Sequence, residues 1–158
     1  MPFKIFIHGL ESSNRGAKAL FFKERYPDMV IPDFRGDLPD RMRALESILE
    51  GKSDIRLVGS SFGGLMATLF TFQNESKVDR LILLAPAIHM LEEGSHKQGH
   101  VFVPVTIYHG TRDEIIPLEG VEKAAKRLFL NLSFNSVEDD HYLHRTFKAL
   151  DWDRLLLQ

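Results

Sequence analysis

The sequence contains no cysteine, which excludes disulfide scaffolds, thiolate metal sites and cysteine nucleophiles. It also lacks a long hydrophobic run. The longest apolar stretch covers residues 81–88, whereas a membrane-spanning helix needs about 20 such residues. No excess of basic charge is present: 20 Lys and Arg against 22 Asp and Glu leave a formal charge of −2. That balance offers no electrostatic footprint for nucleic acid. The opening residues Met1-Pro2-Phe3-Lys4-Ile5 show no secretory pattern, so a cytoplasmic location is expected. Internal repeats, low-complexity tracts and linkers are missing too. What remains is ordinary globular usage, with 158 residues, 44% hydrophobic and 27% charged. One domain over residues 1–158 is expected.

Short β-rich runs alternate with longer stretches of helical periodicity, the pattern of a mainly parallel α/β sheet. Strands are predicted at 3–8, 29–33, 54–59, 79–85, 103–109 and 131–137, giving a sheet of about six. Ile55-Arg56-Leu57-Val58 and Leu81-Ile82-Leu83-Leu84 read as strands buried on both faces. In the last strand, Leu132 and Phe134 alternate with Ser133 and Asn135, as a half-covered edge would. Helical stripes run through Phe62, Leu65, Met66, Leu69 and Phe70, through Leu118, Val121, Ala125, Leu128 and Phe129, and through Met42, Leu45 and Leu49. Such spacing marks core faces rather than cofactor contacts. Residues 87–100 form the long polar connection, a surface excursion above the sheet.

Gly59-Ser60-Ser61-Phe62-Gly63 matches Gly-x-Ser-x-Gly. Five residues alone carry little information; their position carries more. A buried strand ends at Val58 and an amphipathic helix starts near Phe62, so the turn between them strains Ser61 and exposes its hydroxyl at the strand's carboxyl end. A Gly/Ser helix cap, by Ser60 or Ser61, is the plainer alternative. A phosphate-binding loop would need a following Gly-Lys-Ser/Thr, which is missing.

A serine becomes nucleophilic only with a positioned base and a carboxylate to orient that base. On such a sheet the chain order is Ser, acid, His, each beyond a strand's carboxyl end. Asp113 follows the penultimate strand in Tyr108-His109-Gly110-Thr111-Arg112-Asp113 and is the candidate acid, with Glu114 in reserve and an Asx-turn as its structural alternative. His141 follows the last strand and is the candidate base. His144, expected to start the final helix, is second. His8 and His109 each precede a glycine at a strand end and are expected to shape loops. His89, His96 and His100 lack helical metal-ligand spacing, so neither a metal nor a cofactor is expected. Gly9 lets the chain turn so that the Leu10 N–H, together with that of Phe62, can serve as an oxyanion hole. An ordinary strand-end turn is the other reading of His8-Gly9-Leu10.

Together, His8-Gly9-Leu10, Pro32-Asp33-Phe34-Arg35-Gly36, the motif at Ser61, Gly110-x-x-Asp113-x-x-x-Pro117 and Asp140-His141 resemble the α/β-hydrolase superfamily. The likeness is greatest to its small, nearly lidless bacterial members, the YqiA-type esterases, and extends from about Lys4 to Trp152. It implies a three-layer α/β fold in minimal form, lacking the first two strands and a cap domain, with strand order 4-3-5-6-7-8 in the family's labels. It also implies a Ser61–His141–Asp113 triad acting on a small ester or thioester. Without a cap the acyl pocket should be shallow and open. Some members keep the fold and lose catalysis, so a silent binding module is the competing expectation.

Overall fold

The computed structural model describes residues 1–91 and 99–158. Five strands, β1 (Phe3–Ile7), β2 (Ile55–Ser60), β3 (Val78–Leu84), β4 (Val105–Gly110) and β5 (Leu132–Val137), form one sheet in chain order. Every neighbouring pair is parallel. Parallel strands need long crossovers, and these contain the helices α1 (Ala17–Arg25), α2 (Leu38–Leu49), α3 (Phe62–Asn74) and α4 (Leu118–Leu128); α5 (Trp152–Leu157) closes the chain.

The period of two along each strand sorts the core into two layers. Ile5, Ile7, Leu57, Leu81, Leu83 and Ile107 pack with α2, α3 and α4 on one face. Phe6, Val58, Ile82 and Leu84 pack with α1, α5 and Phe147 on the other. The second face is aromatic-rich: the Phe22 ring lies 4.8 Å from Trp152 and 5.4 Å from Phe147, both edge-on. Its lower end is charged. Arg56 is buried and donates to Asp79 (2.8 Å) and to the Leu156 carbonyl (2.6 Å), while Arg80 donates to the Leu155 carbonyl (3.2 Å). Both guanidinium groups thus satisfy carbonyls at the C-terminus of α5, where the helix dipole favours cations.

Among the described residues the sheet has five strands rather than about six. Residues 29–33 contribute only one parallel bridge, Val30 to Ile5. Phe6 N–H donates to Val30 and Val30 N–H to Lys4, on the edge of β1 away from β2, where the resemblance puts that strand. Pro32 lacks the next N–H a ladder needs, and the chain instead turns inward to bury Phe34. β5 is half-covered as expected. His144 does not start a helix; it lies among turns ahead of α5. Replacing Trp152 by Ala, at 1% exposure the largest side chain of the second core, is expected to cost about 3–5 kcal/mol of stability, measured by urea unfolding followed by far-UV circular dichroism.

Candidate active site

β2 passes into α3 through a backbone crossing that admits no side chains. A Cβ on Gly59 would fall 2.5 Å from the Gly63 carbonyl oxygen, one on Gly63 would collide with the Ile7 carbonyl, and one on Gly64 would lie 2.6 Å from Pro86. Ser61, at the apex, has φ 56° and ψ −116°. A non-glycine residue there is strained and must be held by its surroundings. It is held by main-chain bonds: Ser61 N–H donates to Leu84 (2.9 Å) and its carbonyl accepts from Ala87 (2.9 Å) and Gly64 (2.9 Å). Its side chain does not cap α3, so the plainer reading of this serine fails. Ala85 (φ 45°) and Leu143 (φ 53°) are also in the left-handed region, both at the carboxyl end of the sheet.

The loop after β4 brings Asp113 inward. Its side chain is fully buried. Oδ1 accepts the N–H groups of Ile115 (2.9 Å) and Ile116 (2.7 Å), and Oδ2 accepts from His141 Nδ1 (2.7 Å). With Nδ1 donating, the His141 Nε2 lone pair is left as a proton acceptor. Glu114 is exposed. His144 pairs through Nδ1 with Asp140 (2.6 Å), and its side chain is 72% exposed. The first-choice acid and base therefore meet each other; the reserves do not.

Two buried histidines support these loops. His8 Nε2 accepts the Phe34 N–H (2.9 Å), so its other nitrogen donates to the Gly9 carbonyl (2.7 Å). His109 Nε2 lies 2.8 Å from the Ile116 carbonyl and 3.2 Å from Asp113 Oδ2. Burial pushes the His109 pKa down, outweighing the Ile116 and Asp113 contacts. The neutral ring then donates through Nε2.

A residue unforeseen in the sequence, Asp139, organises the loop that carries His141. Its carboxylate is buried and accepts N–H groups from Asp140 (2.8 Å), Arg145 (3.0 Å) and Thr146 (2.7 Å). These bonds keep residues 140–146 in turns. Lys18 Nζ fastens the same loop to α1 through the Tyr142 carbonyl (2.7 Å).

Ser61, His141, Leu10 and Phe62 line one cavity of about 560 Å³, together with apolar side chains such as Ile115 and Met90. It is larger than the shallow depression expected from the missing cap, because Met90 and the loops after β4 and β5 build its walls. The Leu10 turn lies beside Ser61: a Cβ added at Gly9 would make ordinary van der Waals contact with the serine Cβ, at 3.4 Å. Among the described residues, neither the Leu10 nor the Phe62 N–H donates to a protein group, and Ser61 Oγ makes no hydrogen bond. Arg35 and Arg112 pair with Asp33 and Glu138 away from the cavity. No group of three His, Asp or Glu among the described residues is placed to hold a metal ion; His96 lies outside them.

The family model described as an uncharacterised protein family, UPF0227, matches residues 3–133. No curated protein matches the sequence. Among solved structures, α/β-hydrolase domain-containing protein 10 from mouse is 22% identical, with a TM-score of 0.77 over 94% of this chain and 84% of that one. Est1E from Butyrivibrio proteoclasticus, with ferulic acid bound, is 17% identical (TM-score 0.75, 94% and 85%). An α/β serine hydrolase homologue from Coxiella burnetii is 20% identical (TM-score 0.73, 98% and 84%). At these identities the likeness is one of fold.

Burial alone would raise the Asp139 pKa, but the hydrogen bonds from Thr146, Asp140 and Arg145 outweigh it and hold the carboxyl below the ordinary range. A group with a depressed folded value stabilises above its unfolded pKa, about 4, and loses that contribution as pH falls through the folded value. Asp139→Asn is therefore expected to lower stability at neutral pH and to flatten the acid limb of a stability-against-pH curve, measured by urea midpoints between pH 7 and pH 3.

Proposed function

The chain belongs to the UPF0227 family and has the α/β-hydrolase fold, and from that premise we propose that it is a serine hydrolase cleaving small carboxylic esters or thioesters. The observation that carries this reading is the junction of two features. Ser61 is strained, uncapping and open to the cavity, and His141 in the same cavity is oriented by the buried Asp113. A module that only binds would need neither the strain nor the buried carboxylate.

In the proposed reaction Ser61 Oγ attacks the acyl carbon while His141 Nε2 takes its proton. Asp113 holds the tautomer and stabilises the imidazolium. The Leu10 and Phe62 N–H groups donate to the oxyanion, aided by the N-terminus of α3. The tetrahedral intermediate collapses, the leaving alcohol or thiol takes the proton from His141, and an acyl-serine remains. Water then attacks the acyl carbon with His141 as base, the carboxylic acid departs and the serine is restored. The Ser61–His141 bond absent from the free protein forms as substrate seats, since catalytic hydrogen bonds are often long before binding. The walls of the cavity bound the acyl group it can seat, which favours short acyl chains over long ones.

Fluorophosphonate labelling and p-nitrophenyl acetate turnover test this reading. Ser61→Ala is expected to abolish labelling and, like His141→Ala, to lower kcat on the order of 10⁶-fold if the triad acts as a unit. Asp113→Asn should cost on the order of 10⁴-fold. Labelling that survives Ser61→Ala rules out this serine. An unlabelled, folded wild-type protein identifies a silent binding module instead. Across p-nitrophenyl esters of increasing length, kcat/KM is expected to peak at short chains; a maximum beyond about ten carbons would contradict that limit.

A further inference from the structure

Arg41, in the first turn of α2, is only 5% exposed, yet among the described residues it makes no ion pair. A buried cation is costly to fold around, and it normally finds a carboxylate. This one faces neutral groups. Its Nε donates to the Gly36 carbonyl (2.9 Å), its Nη2 makes a long bond to the Leu10 carbonyl (3.5 Å), and its guanidinium carbon lies 5.6 Å from the centre of the Phe62 ring. Nη1 is buried without a partner. The guanidinium therefore touches both residues whose N–H groups are the proposed oxyanion donors. It does not line the cavity, so it reaches substrate only through them.

We infer that Arg41 is a positioning residue of the oxyanion hole: it contacts the Leu10 turn at its carbonyl and the Phe62 side chain at its π face, and its charge, unpaired among the described residues, lies beside both residues. This rests on the function proposed above. The Leu10 turn lies outside any strand, and a donor that must point at a developing oxyanion cannot wander. The bond to Gly36 ties the guanidinium to the loop that leads into α2. Positive charge without a counter-ion also favours negative charge forming nearby, and more strongly away from water. A methionine of similar length would fill the space without the cost of burying charge. The cation therefore has its use in the transition state, when the acyl oxygen becomes anionic.

The test compares wild type, Arg41→Met and Arg41→Lys, with kcat and KM for p-nitrophenyl acetate expressed per fluorophosphonate-reactive serine, so that any unfolded fraction divides out. Inhibition by phenylboronic acid, which forms an anionic tetrahedral adduct on a reactive serine, is measured alongside. Arg41→Met is expected to lower kcat and boronate affinity about tenfold, less than deleting a donor outright, with KM within about twofold. Arg41→Lys keeps the charge and loses the fork, so a loss of about threefold is expected. Per-site kcat and boronate affinity unchanged in both variants would overturn the inference and leave the Ser61 reading intact. A wild-type protein that neither labels nor turns over substrate would remove that reading first, and the inference with it.

Discussion

The carboxyl end of this sheet depends on one steric constraint, the close passage of α3 across the ends of β1 and β2. Gly59, Gly63 and Gly64 permit it, because a side chain at any of them would strike backbone or Pro86. The crossing sets the direction of α3, aims its N-terminus over the sheet and forces Ser61 into the left-handed region. The main-chain bonds from Ser61 to Leu84 and Ala87 hold that conformation by tying the elbow to the end of β3. Strain at Ser61 is thus borne by the whole parallel core beneath it.

The loops above the core follow a second rule. They lack regular ladders, so buried polar groups satisfy their backbone. Asp113 accepts two successive N–H groups, from Ile115 and Ile116; Asp139 does the same with Arg145 and Thr146. His8 accepts the Phe34 N–H, and Arg41 donates to Gly36 and Leu10. Each is a charged or titratable group whose partner is mostly main chain, which makes the loops stiff without extending the sheet. Segment 29–37 shows the consequence. It gives up a sixth strand and becomes the prop beneath the Leu10 turn.

The two ends of the molecule divide the work. At the amino end, Arg56 and Arg80 close the C-terminus of α5 over the aromatic core, so a six-residue helix can cover that face. At the other end, the apolar walls leave a cavity around Ser61. Both ends bury charge, but the lower one pairs Arg56 with Asp79, whereas Arg41 makes no ion pair among the described residues. At one end a buried guanidinium is paired; at the other it lies next to the proposed chemistry without an ion pair among the described residues.

The order of the five paired strands, the elbow at Ser61 and the placing of Asp113 and His141 in loops at the carboxyl end of the sheet were legible in the sequence. Each rests on local rules: alternation of two or 3.6, glycines at a sharp turn, and a chain order imposed by parallel topology. Arg41 left a trace, standing four residues before Leu45 on the buried stripe of α2, but nothing local separates a useful buried cation from a frayed helix start. Asp139 and the walls of the cavity left none, and the lost strand at 29–33 left only Pro32. Their roles arise from partners far along the chain or from loops whose path depends on packing. Sequence by itself determined the five paired strands and helices α2, α3 and α4, because sterics and periodicity act over a few residues. Only tertiary structure decided that His141 meets Asp113 while His144 meets Asp140, because that choice turns on how Asp139 folds the intervening loop against the rest of the protein.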